Sequence, residues 1–251
     1  MWNSRQTIEV FHLLFLRALR ERVDPGLYCL KGGCNLRFYC KSIRYSEDID
    51  LDVHTVARGT LQKNVETTLR SDAFVRTLRA QAILVGDFSA AKQTSTTQRW
   101  KVQLRNTGLT QNIPTKIEFS RRRFDPDTLL EPVEAEIIAR YKLYPVLAQH
   151  YSPSTALIQK IEALALRNET QARDVFDLKL LFDANVRPTL HATACKLIPE
   201  AIVKAIGIGF DDFSGQVVAY LEPEYQQHYR EKRVWERLQE DVVTRLEALV
   251  S

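Results

Sequence analysis

Arg44-Tyr45-Ser46-Glu47-Asp48-Ile49-Asp50-Leu51-Asp52-Val53 places three carboxylates at alternate positions among β-forming residues. In a strand, alternate side chains project to one face about 6.6 Å apart, so Asp48, Asp50 and Asp52 form a row of like charge. A water-facing strand can carry such a row without chemical purpose. Here, however, Lys31-Gly32-Gly33 precedes it, with Gly33 fifteen residues before Asp48. Glycines let a backbone approach phosphates closely, and carboxylates behind a glycine turn suggest a metal-nucleotide site.

Working outward, Ile8, Phe11, Phe15 and Leu19 recur at helical spacing and predict a helix over residues 4–22. Asp24-Pro25-Gly26 breaks the chain before a short strand at 27–30. A helix from 34 to 41, the acidic strand at 48–54 and a polar helix over 60–81 follow. Strands are expected at 83–88, 99–106 and 115–120. Beyond Pro126 the pattern turns helical: Ser152-Pro153 caps and opens a helix carrying Lys160 and Arg167 on one face. Further helices are expected at 172–184, 189–206 and 229–249, while 137–147 could supply one more strand. The expected class is α+β: residues 1–148 a mixed β-sheet with flanking helices, and 149–251 an α-helical domain.

Hydrophobic residues make up 45% and charged residues 26% of the 251, an ordinary globular balance. Arg17 and Arg20 interrupt the longest apolar run, so no membrane span is expected. Cys29, Cys34, Cys40 and Cys195 lack zinc-site spacing and nothing resembles a secretion signal; reduced thiols in a cytoplasm are expected. Residues 1–125 hold 21 Lys/Arg against 12 Asp/Glu, net +9, whereas 126–251 hold 14 against 19, net −5. The half bearing the acidic row is therefore basic, as a surround for triphosphate and a polyanion would be. Uneven surface charge is the plain alternative, and Arg121-Arg122-Arg123 shifts the balance only slightly.

Lys31-Gly32-Gly33-x-x-Leu36, the Arg44–Leu51 run, and a third block of Lys160, Ala163-Leu164, Arg167 and Arg173-Asp174-x-x-Asp177-Leu178 together resemble the AbiEii/AbiGii toxin family. More widely they resemble nucleotidyltransferases of the DNA polymerase β type. The likeness runs from about residue 30 to 181. It implies Asp48, Asp50, Lys160 and Asp174 as catalytic residues, with Mg²⁺ or Mn²⁺ on Asp48 and Asp50. By spacing alone Asp50 with Asp52 would serve equally well. Glu118, an acid between apolar neighbours in an expected strand, is the candidate third metal ligand, against Asp52 or a solvent-facing partner of Lys116. Asp87 is a weaker competitor beside Gly86. Lys31, Gly32, Gly33, Arg37, Ser46 and Lys160 would bind nucleotide. Arg37 could equally be solvated, Ser46 could merely end a turn, and Asp177 could cap or salt-bridge locally.

Gly33 and Cys34 stand where related proteins often carry hydroxyls, so such contacts to phosphate are absent from those positions. His54, His150 and His191 converge on nothing. Trp100, Tyr141 and Tyr144 are core residues or stacking platforms for bases. The implied activity is metal-dependent transfer of NMP from an NTP to an acceptor, RNA and especially a tRNA 3′ end. The implied setting is a toxin–antitoxin or phage-defence system with a cognate antitoxin partner, and the implied site lies in a cleft between the domains. The alternatives are a non-catalytic nucleotide- or RNA-binding module, and nucleotidylation of a protein or small molecule.

Overall fold

A computed structural model describes residues 2–108, 111–123 and 127–250; Pro126, where the sequence changes character, lies outside them. The chain divides into two units: residues 1–41 with 45–151, and residues 42–44 with 152–251.

The first unit contains α1 (Ser4–Leu19), β1 (Tyr28–Lys31), α2 (Gly32–Tyr39), β2 (Asp48–Val53), α3 (Arg58–Arg70), α4 (Asp72–Ala80), β3 (Ile83–Gln93), β4 (Thr97–Asn106), β5 (Ile113–Arg121), β6 (Thr128–Pro132), α5 (Ala135–Arg140) and β7 (Leu147–Tyr151). Its strands form one mixed sheet in the order β3-β4-β5-β2-β1-β7-β6. The acidic strand β2 pairs antiparallel with β1 and parallel with β5, so it sits at the centre. Period-2 burial decides what faces the core. Ile49, Leu51, Ile117, Phe119, Trp100 and Val102 are buried, which leaves Asp48, Asp50, Lys116 and Glu118 on the opposite face of their strands.

Helix α1 begins at a reciprocal cap between Asn3 and Gln6. It buries Phe11, Phe15 and Leu19 as its spacing requires, and also Glu9 and His12. The polar helix expected over 60–81 is two, because Ser71 leaves the helical conformation and its hydroxyl accepts from the Phe74 N–H, capping α4. Residues 137–147 form no strand of their own: α5 occupies 135–140, and β7 starts only at Leu147. Strand β6 was not anticipated. Asp87 lies inside β3 at a register shift, not in a turn.

The second unit contains α6 (Pro153–Leu166), α7 (Ala172–Asp183), α8 (Ala192–Ile206), α9 (Phe210–Gln216), α10 (Pro223–Tyr229) and α11 (Lys232–Glu247). Ser152 and Pro153 cap and open α6. Helix α8 starts at Ala192, later than expected, because the His191 side chain accepts from the Ala194 N–H. Phe213 stacks on Trp235 at 4.5 Å, with Phe176 and Tyr229 around them. These aromatics make a core in a region whose short helices α9 and α10 carry little periodic signal.

Among the described residues no helix is long and apolar enough to cross a membrane.

Candidate active site

Residue Gly32 holds φ +66° at the turn from β1 into α2, a left-handed conformation that glycine alone adopts cheaply. It is also crowded: a β-carbon there would lie 3.2 Å from Asp50 Oδ2. Gly32 is thus required twice over, by conformation and by proximity to the acidic row. No side chain caps α2, so its first N–H groups are not spent on a side-chain cap.

The three aspartates of β2 have different fates. Asp48 is partly exposed, with the Lys116 ammonium 2.8 Å from its Oδ2. Asp50 is partly exposed and lies in register with Lys31 on one side and Glu118 on the other. Glu118 pairs with Arg99, not with Lys116. Asp52 is fully buried. The Lys31 ammonium reaches its Oδ1 at 2.6 Å and Ser120 at 2.8 Å. Arg122 and the Tyr151 hydroxyl donate to Asp52 Oδ2 at 2.9 and 2.6 Å. Both oxygens of Asp52 are therefore engaged in protein contacts, whereas Asp48 and Asp50 are partly exposed. Lys31, expected on the nucleotide, here neutralises Asp52. Burial and the Asp52 carboxylate together push the Tyr151 hydroxyl far above its usual range.

A buried relay fixes the start of β2. The Thr115 hydroxyl donates to the Glu47 carbonyl at 2.7 Å, and His12 Nε2 stands 2.8 Å from the Thr115 hydroxyl oxygen. Since the hydroxyl proton is already given, His12 must donate from Nε2, leaving Nδ1 bare. That nitrogen faces Cys34 Sγ at 3.5 Å. Cys34 and Ser46 both donate to the Asp48 carbonyl, at 3.3 and 2.9 Å. Cys34 thus acts on the strand backbone. Ser46 is committed there too, where the sequence left it between nucleotide and turn. Burial holds His12 neutral, its pKa lowered to about 3. Sequence reasoning missed His12 and Thr115; the available signal was a histidine on the apolar face of α1.

Arg37 is neither solvated nor open to the surface: it is 4% exposed and pairs with Glu9 at 2.6 Å. Tyr141 donates to the same carboxylate, and the guanidinium lies 4.6 Å from the centre of the Tyr45 ring. Trp100 and Tyr141 are buried, whereas Tyr144 is exposed.

In the second unit Lys160 is buried, 2.9 Å from Asp174 and 2.7 Å from Asp177. Arg44 grips Asp177 through both carboxylate oxygens, and Arg167 Nε stands 3.0 Å from Asp174 Oδ2. Asp177 is therefore no helix cap but the hub of a buried network. Burial by itself would lower the Lys160 pKa, yet the attraction of Asp174 and Asp177 outweighs it and the net shift is upward. Burial would likewise raise Asp177, but Arg44 and Lys160 carry it below the ordinary carboxylate range. Arg173 is half-buried.

Oxygen donors suit a hard divalent cation; Asp48 and Asp50 are partly exposed, Asp50 in register with Glu118 and Asp48 with Lys116. As placed, the Lys116 and Arg99 cations hold Asp48 and Glu118. Among the described residues no group of three or more His, Cys, Asp or Glu side chains is gathered for a metal.

A mixed sheet, a glycine turn against a carboxylate strand and a helical second unit are the parts of a nucleotidyltransferase. The family described as "Nucleotidyl transferase AbiEii toxin, Type IV TA system" matches residues 14–238, and the chain belongs to it. That span reaches well past residue 181, where the likeness visible by inspection stopped. Two solved structures share the fold. One is JHP933 from Helicobacter pylori, at TM-score 0.59 and 15% identity over 99% of this chain and 96% of that one. The other, described as a candidate nucleotidyltransferase from H. pylori, has TM-score 0.61 and 16% identity over 99% of both chains. No match appears among curated proteins.

Proposed function

We propose that this nucleotidyltransferase toxin transfers NMP from an NTP to an RNA acceptor, a tRNA 3′ end being the leading target. The observation that carries the reading is the contact of Gly32 with Asp50 beside a partly exposed Asp48. That geometry brings a phosphate-approaching turn against two surface carboxylates.

In the reaction an acceptor hydroxyl oxygen bonds to the α-phosphorus while the bond to the bridging oxygen of the β-phosphate breaks. The hydroxyl proton is lost to solvent, and pyrophosphate leaves. Asp48 and Asp50, with Glu118 as third ligand, would hold Mg²⁺ or Mn²⁺, which when bound supplies positive charge to the attacking and departing oxygens. Gly32, Gly33 and the first N–H groups of α2 receive phosphate oxygens, since a helix N-terminus with free donors favours anions. The ammonium of Lys116 offsets negative charge at Asp48. Lys160 and Asp174 stand in the machinery on the family resemblance, and their burial gives them a structural duty as well. A cognate antitoxin partner follows from the toxin family. A cytoplasmic setting and a role in phage defence belong to the same reading.

The test is incubation of the protein with Mg²⁺, each α-labelled NTP and total cellular RNA. Labelled tRNA supports the reading. Label in protein or a small molecule instead, or nucleotide binding without transfer, overturns it in favour of another acceptor or a binding module.

A further inference from the structure

A groove of about 370 Å³ opens in the first unit between the end of α1, the face of α4 and the turn joining α5 to β7. This volume falls within the range of roughly 300–1,000 Å³ of ligand sites. Leu14 and Phe74, both buried, give it an apolar floor. Arg17, Arg22 and Lys142 line it against a single acid, Glu21. Tyr144 stands among them with 74% of its surface exposed, the highest value among the exposed large apolar side chains. The Arg17 guanidinium lies 5.2 Å from the centre of its ring.

An exposed tyrosine contributes little to a core, so its place is not explained by folding. A ring beside three cations is the combination that single-stranded nucleic acid recognises: bases stack on the aromatic face while phosphates meet the charges. Its lining includes neither Gly32, Gly33, Asp48 nor Asp50.

We propose that this groove is an accessory binding site for single-stranded RNA, with one base stacked on Tyr144 and flanking phosphates at Arg17, Arg22 and Lys142. The choice of RNA over another polyanion rests on the proposed acceptor, but the site acts in binding and needs no transfer to be seen. It would hold an unpaired segment of the acceptor and so lower the acceptor KM.

The test is fluorescence anisotropy of a labelled single-stranded oligoribonucleotide of about ten nucleotides, within the usual site sizes. The full chain is compared with its Tyr144→Ala, Tyr144→Phe and Arg17→Ala variants. Tyr144→Ala is expected to weaken binding about tenfold and Tyr144→Phe to leave it nearly unchanged, because the ring is what stacks. Arg17→Ala should weaken binding and flatten its salt dependence. Ultraviolet crosslinking should recover the oligonucleotide on the peptide containing Tyr144. The inference is overturned if Tyr144→Ala binds as the parent does, if Tyr144→Phe is as weak as Tyr144→Ala, or if the parent binds no RNA. Ring-dependent binding by a protein that labels no RNA would leave this site standing and remove the proposed reaction.

Discussion

Gly32 and Asp50 are in contact range through a space only a glycine leaves: a β-carbon on the first would stand 3.2 Å from Oδ2 of the second. With φ at +66°, Gly32→Ala adds backbone strain to displacement of the carboxylate. The expected cost is about 1–3 kcal/mol of stability. Turnover should fall about 10²-fold, the scale of a misplaced reacting group. Thermal unfolding and NTP transfer measured on the same preparation check both; a variant with parental turnover would disconnect the turn from the chemistry.

Asp48→Asn and Asp50→Asn should lower transfer by about 10²–10³-fold, the loss seen when one preorganised charge is removed. Stability should barely change after Asp48→Asn, because its pair with Lys116 is well exposed and such pairs contribute only about 0–1 kcal/mol. Asp52→Asn, at the position the family resemblance leaves out of the metal pair, should instead be costly to the fold. It weakens a buried group held by Lys31 and Arg122, where breaking such pairing costs about 3–5 kcal/mol. Denaturant melts of the three variants should therefore separate Asp52 from the other two.

The central elements were readable because their signals are local. Alternating acids gave β2, the apolar stripe gave α1, and Ser152-Pro153 gave the start of α6. What could not be read was which member of the row is covered: Asp52 is distinguished from Asp48 by Tyr151 and Arg122, which lie 99 and 70 residues away in sequence. Arg37 posed the same difficulty, since its partner Glu9 sits on α1, 28 residues earlier. Short elements such as α9 and β6 escaped because five to seven residues seldom carry a period.

Lys160→Ala should destabilise by about 3–5 kcal/mol, because it leaves Asp174 and Asp177 short of a buried counter-charge. The network also sets a pH window. Asp177 is lowered in the fold, so its contribution is present above the unfolded carboxylate value of about 3.9 and is lost as pH falls through the folded one. Lys160 is raised, so its contribution holds below about 10.4 and is lost as pH rises through the folded value. Chemical denaturation across pH should show a plateau bounded on both sides, with the alkaline edge changed in Lys160→Met. An unchanged alkaline edge would count against the ion-pair assignment.

His12 should remain neutral at pH 5, with its proton on Nε2. Long-range proton–nitrogen spectra of the imidazole read both facts directly. A resonance that titrates near 6.5, the ordinary histidine value, would contradict its burial against Thr115 and Cys34. Thr115→Val should remove the acceptor and loosen the start of β2, lowering turnover without altering any carboxylate.

The three residues Ser42–Arg44 have a consequence for how this protein can be taken apart. They group with residues 152–251 although more than a hundred positions separate them. Arg44 supplies the guanidinium that grips Asp177, and the Glu222 N–H donates to the Ile43 carbonyl. A fragment expressed from residue 152 onward would inherit the aspartate without its arginine. The helical portion is thus not a transplantable module. It depends on a stitch of chain threaded out of the first half, so shuffling or truncation at the obvious seam yields a piece whose buried Asp177 keeps Lys160 but loses its other cation.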